Sequence, residues 1–137
     1  MITKSQMLPL LIKACPSFLS TWQEMEKERG QEEPLVYVEL GSFARHLVEL
    51  YLQGQTTEFA EVFDVVERFH FEGNDYVQNA AVIGLLEDVQ NIAGNRKIDR
   101  EVFVPYLRPM SVAWWQSLNR FWSGESPSVV LPDTGAT

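Results

Sequence analysis

Two short histidine-containing segments hold the residue types most suited to chemistry in this sequence. Glu67 lies three residues before His70, and His46 lies three residues before Glu49. That interval is close to one helical turn, so each pair places a carboxylate and an imidazole on one helix face, as metal sites in helical bundles require. Those sites need two Glu-x-x-His segments, and this chain has one. A small metal-binding protein using these four residues therefore stays an alternative, and solvated charge beside the core is the preferred interpretation.

Other familiar catalytic patterns are missing from the sequence. It contains no Gly-x-Ser-x-Gly elbow for a nucleophilic serine and no glycine-rich loop for a phosphate group. Cys15 has no histidine near it in sequence, so we interpret it as a small buried apolar residue before a helix. We therefore expect no catalytic residues, no cofactor and no enzymatic activity.

The formal charge of the chain is −8, from 19 acidic and 11 basic residues. A nucleic-acid-binding protein needs a basic face, and here the basic residues are scattered singly or in pairs, so we expect no nucleic-acid partner. Acidic surfaces speed encounter with basic proteins, which makes a basic protein the better electrostatic match. Solubility alone also accounts for an acidic composition, and on charge alone it is the simpler explanation.

The sequence has no apolar run close to the roughly 20 residues that cross a bilayer, so we expect no membrane association. Its first residues carry one basic side chain and lead into no apolar block followed by a cleavage site, which argues against a secretory signal. A single cysteine cannot form an internal disulfide, in agreement with a reducing compartment. These features together predict a cytoplasmic protein.

Apolar residues recur at helical spacing along most of the chain, which predicts an all-α fold. We expect one domain, residues 1–122, built as a compact bundle of about six or seven helices, followed by a flexible tail, residues 123–137. A strand is a second possibility for Val36 to Val38, which are β-branched and aromatic. The predicted helices cover about residues 4–14, 16–29, 35–53, 57–71, 75–93, 99–104 and 111–122.

The fourth and fifth predicted helices have the clearest patterns. Phe59, Val62, Phe63, Val66 and Phe69 form a regular stripe on the fourth helix. The fifth, residues 75–93, is apolar on more than one face, so we expect it to be the central helix. On the last helix two adjacent tryptophans, at positions 114 and 115, point about 100° apart, so core packing is expected for at least one of them.

Two resemblances extend these predictions. Residues 75–86 read Asp-Tyr-Val-Gln-Asn-Ala-Ala-Val-Ile-Gly-Leu-Leu, which resembles the second helix of a HEAT-type repeat and implies HEAT-like antiparallel helix pairs. Residues 14–18, 33–38, 43–48 and 84–91, with the terminal Trp-Trp-x-x-Leu-x-x-Phe-Trp, are similar to an uncharacterised bacterial family of small acidic helical proteins. Members of that family look like immunity proteins, which neutralise a toxin made by the same cell or a neighbouring cell.

The resemblance implies that the chain binds a cognate toxin and occludes its active site. Toxin domains that attack nucleic acids are often basic there, so an acidic helical face would match one by charge. An adaptor in another protein complex is the alternative that shares this surface. The residues expected to bind the partner are acidic or polar side chains of the third and fifth helices and of the segment before the third: Glu32, Glu33, Glu39, Glu49, Glu87, Asp88 and Asn91.

Overall fold

Seven α-helices, joined by 3₁₀ and π segments, make up the secondary structure of the computed structural model, which describes residues 1–124. This confirms the all-α fold class. All but the first two residues of the expected tail, 123–137, lie outside the described part of the chain. The α-helices are α1 (Met7–Ala14), α2 (Leu19–Arg29), α3 (Val36–Leu52), α4 (Phe59–Glu72), α5 (Asp75–Asn79), α6 (Glu87–Asn95) and α7 (Pro109–Trp122). The 3₁₀ segments are Lys4–Gln6, Pro16–Phe18 and Arg100–Tyr106, and the π segment is Ala80–Leu86.

The N-terminal half follows the predicted order, with differences at the helix ends. The first turn, Lys4–Gln6, is 3₁₀ and not α, and Pro9 is accommodated in the first turn of α1, where a backbone N–H has no helical partner in any case. Helix α2 ends at Gly30, whose φ of 62° suits glycine. The strand considered for Val36 to Val38 is wrong, because these residues form the first turn of α3.

Helix α5, the π segment and α6 form one continuous helix, residues 75–95. It begins where the Asn74 side chain accepts a hydrogen bond of 3.0 Å from the Val77 N–H, as expected for a cap. It passes through Gly94 to Asn95, two residues beyond the predicted end. Six of the seven residues in the π segment are buried, which confirms that this helix is central.

The elements pack around one core. Helix α3 lies along the π segment and α6, while α4 contacts both α1 and α7. The predicted stripe of α4 is buried at all five positions. Of the adjacent tryptophans, Trp115 is fully buried and Trp114 is half-buried. The C-terminal end of α2 and the N-terminal end of α3 lie together at the surface.

Within residues 1–124, the isolated β-bridge between Ile2 and Gly73 ties the N-terminus to the α4–α5 turn. The Ile2 N–H donates to the Glu72 carbonyl at 2.7 Å, and the Asn74 N–H donates to the Ile2 carbonyl at 3.0 Å. None of the helices described for residues 1–124 combines the length and the apolar character needed to cross a bilayer.

Candidate functional site: the acidic corner

The C-terminal end of α2 and the N-terminal end of α3 enclose a surface depression of about 300 Å³. Gly30 stops α2 by taking a positive φ, and Pro34 then favours the extended backbone that leads into α3. The two helix ends therefore meet across a short acidic segment. We name this depression the acidic corner; it is lined by Met25, Glu28, Arg29, Glu32, Glu33, Leu35, Val38 and Glu39.

The lining of the acidic corner is unbalanced in charge and partly apolar. It has four glutamates and one arginine, which gives a formal excess of three negative charges. Leu35 and Val38 expose 66% and 60% of their surface at its rim. Partly apolar surface bordered by charge is the composition of a protein-binding surface rather than that of a wholly solvated face.

Glu39 is the buried member of the corner, and its hydrogen bonding is incomplete. It is only 3% exposed, and its Oε2 lies 3.4 Å from Nη1 of Arg29. Its Oε1 and the Arg29 Nε are buried without a hydrogen-bond partner among residues 1–124. Burial raises the pKa of the Glu39 carboxyl, and the Arg29 guanidinium opposes that change. A buried polar atom left unpaired costs about 1–3 kcal/mol, so this pair stabilises the fold less than a bidentate one would.

Arg29 is held in place by contacts on either side. Its second terminal nitrogen lies 3.8 Å from a Glu26 carboxylate oxygen, and its guanidinium carbon lies 6.0 Å from the centre of the Trp22 ring. Arg29 is therefore positioned on α2 and reaches Glu39 through one long contact.

The structure brings three of the seven predicted partner-binding residues together, since Glu32, Glu33 and Glu39 all line the acidic corner. Glu49 is ten residues further along α3, about 15 Å away along the helix axis, and is ion-paired with Arg96.

The other three predicted residues belong to α6. Glu87, Asp88 and Asn91 are half-buried and do not line the acidic corner. Burial raises the pKa of the Glu87 and Asp88 carboxyls, and the Asp88 charge raises that of Glu87 further. The predicted residues therefore form separate groups.

His46 lies in a cluster with Ser17 and Glu58 next to the start of α2. The Ser17 hydroxyl and N–H both donate to the Glu58 carboxylate, the latter at 3.1 Å. His46 Nε2 lies 2.8 Å from the Ser17 hydroxyl oxygen and therefore donates to it, because the hydroxyl proton is already given to Glu58. Burial lowers the pKa of His46, against the effect of the Glu58 charge.

His70 lies in an equivalent cluster at the start of α7. The Met110 and Ser111 N–H groups donate to the Glu67 carboxylate at 2.8 and 3.0 Å, and the Ser111 hydroxyl also donates to it at 3.0 Å. His70 Nε2 lies 3.0 Å from that hydroxyl oxygen. The interpretation of Glu67 and His70 as solvated charge is therefore wrong, because both take part in a partly buried hydrogen-bond network.

Both clusters cap a helix N-terminus with a glutamate that is distant in sequence, Glu67 within α4 and Glu58 directly before it. A carboxylate that accepts backbone N–H groups satisfies donors that have no helical partner and complements the helix dipole. In a nucleophilic triad the histidine lies between the hydroxyl and the acid, whereas here the serine lies between the histidine and the glutamate. The arrangement therefore fits structural capping better than nucleophilic catalysis. Among residues 1–124, no group of three or more His, Cys, Asp or Glu side chains is placed to hold a metal ion, which includes the four considered above.

Cys15 is buried, as expected, and burial raises its pKa to about 11. The sulfur lies 3.5 Å from the Ser17 hydroxyl oxygen and 3.7 Å from a Glu58 oxygen. A thiol that is protonated and inaccessible is a poor nucleophile.

A larger depression of about 650 Å³ borders the bridge between Ile2 and Gly73. Two of its polar side chains are engaged with neighbours: Glu72 is ion-paired with Arg68, and the Gln78 amide donates to the Gly73 carbonyl at 2.9 Å. None of the buried side-chain atoms of residues 1–124 that lack a hydrogen-bond partner belongs to this depression, whereas two of them belong to the acidic corner.

Sequence reasoning missed the partners that define these sites. Ser17 and Glu58 are 41 residues apart, Glu67 and Ser111 are 44 apart, and neither pair leaves a local pattern. Arg29 was visible only as a basic residue near the end of a helix. The acidic segment before α3 was the one signal that pointed to the corner.

Comparison with known proteins identifies a family for this chain but no individual relative. No curated protein and no solved structure matches it. One family model matches residues 8–123, from the start of α1 to just beyond α7. The chain therefore belongs to the family described as a domain of unknown function, DUF7674.

Proposed function

We propose that this protein is an immunity protein that acts by binding, and that it neutralises a cognate toxin by covering the toxin's active site with the acidic corner. The observation that supports the proposal is the corner itself, which has three excess negative charges beside exposed Leu35 and Val38. The step from a binding protein to an immunity protein rests on the sequence resemblance. The proposed partner is a protein that is basic around its active site.

Apolar contact and charge make different contributions to such binding. Exposed aliphatic side chains supply area that is favourable to remove from water, about 25 cal/mol for each Å². The surrounding glutamates speed encounter with a basic surface and disfavour acidic partners. Because the charges at the rim remain near solvent, their effect on association should weaken as salt is added.

Co-expression with a candidate toxin whose gene adjoins this one tests the proposal. Cells that make the toxin should survive with the wild-type protein, and should die when it carries Glu33→Lys or Val38→Asp. Glu61→Lys makes the same charge change at an exposed position on α4, so it should still protect. Affinity of the purified pair should fall at least about tenfold for each corner variant, as expected for a contact worth about 1.4 kcal/mol or more.

Two results would decide against the immunity role. Equal cell death with and without this protein contradicts it outright. A stable complex with another cellular protein, formed through the acidic corner but without protection, supports the adaptor alternative. Protection that survives both corner variants would move the binding surface to another face, such as the one bearing Glu87 and Asp88.

A further inference from the structure

We propose that the acidic corner is a receptor for one arginine or lysine side chain of the partner protein, with Glu39 at its base. This inference rests on the proposed function only for the identity of the partner. The recognition chemistry is that of a guanidinium or ammonium group on an aliphatic stem.

The first support is the unused hydrogen-bonding capacity of Glu39. An ionised carboxylate offers about four acceptor positions, and a buried one normally fills most of them. Here Oε2 has one contact of 3.4 Å and Oε1 has no partner among the described residues. An N–H donor that carries positive charge supplies the hydrogen bond that Oε1 lacks and adds a second positive charge beside that of Arg29.

The second support is the size and lining of the depression. Its volume of about 300 Å³ is at the lower end for small-ligand sites, which suits a single side chain better than a cofactor. Met25, Leu35 and Val38 provide apolar surface for an aliphatic stem. Lysine and arginine bury such stems while they hold the charged group at a polar position.

The third support is the charge that remains after Arg29 is counted. Glu28, Glu32 and Glu33 line the same depression as the Arg29–Glu39 pair. These three carboxylates offset the repulsion that Arg29 exerts on a second cation. The same charges disfavour an anionic ligand, and a neutral one leaves them without a partner.

Binding of a single residue tests the inference in the absence of any toxin. We would titrate N-acetyl-arginine amide into the ¹⁵N-labelled full chain and follow amide chemical shifts by NMR. Saturable shifts should centre on residues 25–39. The citrulline analogue has nearly the same shape but no charge, and it should bind at least about tenfold more weakly.

Variants assign the binding to the corner. Glu39→Gln should weaken arginine binding at least about tenfold, as for loss of a buried charged partner. The double substitution Glu32→Gln and Glu33→Gln should weaken arginine binding roughly threefold to fivefold, as for exposed charges. It tests the site if the Glu39 variant does not fold. Glu61→Gln removes one exposed charge elsewhere and should leave the affinity unchanged.

Three outcomes overturn the inference: shifts scattered over the whole surface, equal binding of arginine and citrulline, or affinity unchanged by the corner variants. If any of these results is found while toxin neutralisation is intact, the side-chain receptor is rejected and the proposed function still holds. If arginine binds specifically but the protein gives no protection against the toxin, the side-chain receptor is supported and the immunity role is rejected.

Discussion

The Glu67 carboxylate holds the first turn of α7 by accepting two backbone N–H groups and one hydroxyl group. These donors belong to the set that every helix leaves unpaired at its N-terminus, and here a residue 43 or 44 positions earlier satisfies them. A single side chain thus joins α4 to α7. Glu58 does the same for the start of α2 through Ser17.

We expect Glu67→Gln to lower the free energy of unfolding by about 2 kcal/mol, because it replaces charge-assisted hydrogen bonds with neutral ones and removes one acceptor. Urea denaturation measures the change. Glu61→Gln, at an exposed site on the same helix, should change stability by less than about 0.5 kcal/mol. Equal effects of the two substitutions would mean that the hydrogen bonds of the Glu67 cap add nothing to stability beyond the effect of losing one negative charge.

His70 makes stability depend on pH in a definite direction. Burial lowers its pKa from 6.5 to about 4, against the effect of the Glu67 charge. At pH 7 the imidazole is neutral in the folded state and mostly neutral in the unfolded state. As the pH falls below 6.5, His70 takes up a proton in the unfolded chain but stays neutral in the folded chain. The free energy of unfolding therefore falls until the pH reaches about 4. The shift corresponds to at most about 3 kcal/mol.

We expect His70→Gln to remove this part of the pH dependence, since glutamine does not titrate and can still donate an N–H to Ser111. The free energy of unfolding of the wild type and the variant should be measured between pH 7 and pH 4. Their difference isolates His70 from Glu39, Glu87 and Asp88, whose raised pKa values act in the opposite direction. Parallel curves would contradict the expectation.

At the scale of elements, the π segment is the least ordinary part of the fold. A seven-residue π stretch inside a helix is rare, and such stretches often occur where packing or function demands them. Here Gly84 lets α3 approach closely, since a Cβ atom at that position would lie 2.9 Å from a Tyr37 ring carbon and 3.1 Å from a Leu40 methyl carbon.

We therefore expect Gly84→Ala to destabilise the protein by about 1–3 kcal/mol through overpacking against α3. Gly94→Ala is the matched control on the same continuous helix, where the nearest contact would be an ordinary 3.6 Å to Arg100. It should be neutral or stabilise by up to about 1 kcal/mol, because alanine favours the helix. Thermal unfolding of both variants checks that only Gly84→Ala lowers the melting temperature.

The predictability of each element follows from how local its stabilising contacts are. Helix α4 was predictable because its five buried residues recur at three- and four-residue spacing. In the region of α2, Phe18 is buried, yet the adjacent Leu19 is 43% exposed because the helix meets the core only along a narrow edge. The π segment has no counterpart in apolar periodicity, so sequence reasoning gave one regular helix.

The candidate site was predictable only in part, for the same reason. Glu32, Glu33 and Glu39 are near each other in sequence and fall in one depression. The burial of Glu39 depends on where the end of α2 meets the start of α3, which the sequence pattern does not specify. Glu49 meets Arg96, 47 residues away, and no local signal marked that ion pair.

Considered as a whole, residues 1–124 share one hydrophobic core that extends from Ile2 to Leu118. The core draws on every α-helix except α2, which has no fully buried residue and packs through half-buried Trp22 and Met25. Local stability follows buried contact, so α2 is the element expected to open most easily. Its position beside the acidic corner means that part of the proposed binding surface can adjust to a partner.

We expect one cooperative unfolding transition for the molecule, because a single core leaves no second unit to unfold separately. Thermal unfolding followed by far-ultraviolet circular dichroism should coincide with unfolding followed by fluorescence of a Trp22→Phe variant, whose three remaining tryptophans all lie on α7. Under native conditions, amide hydrogens of α2 should exchange through local opening, ahead of those of α4. Separate transitions for the two probes would show that the core consists of independently unfolding units. Equal protection of the α2 and α4 amide hydrogens would show that α2 is stabilised by more than its few half-buried contacts.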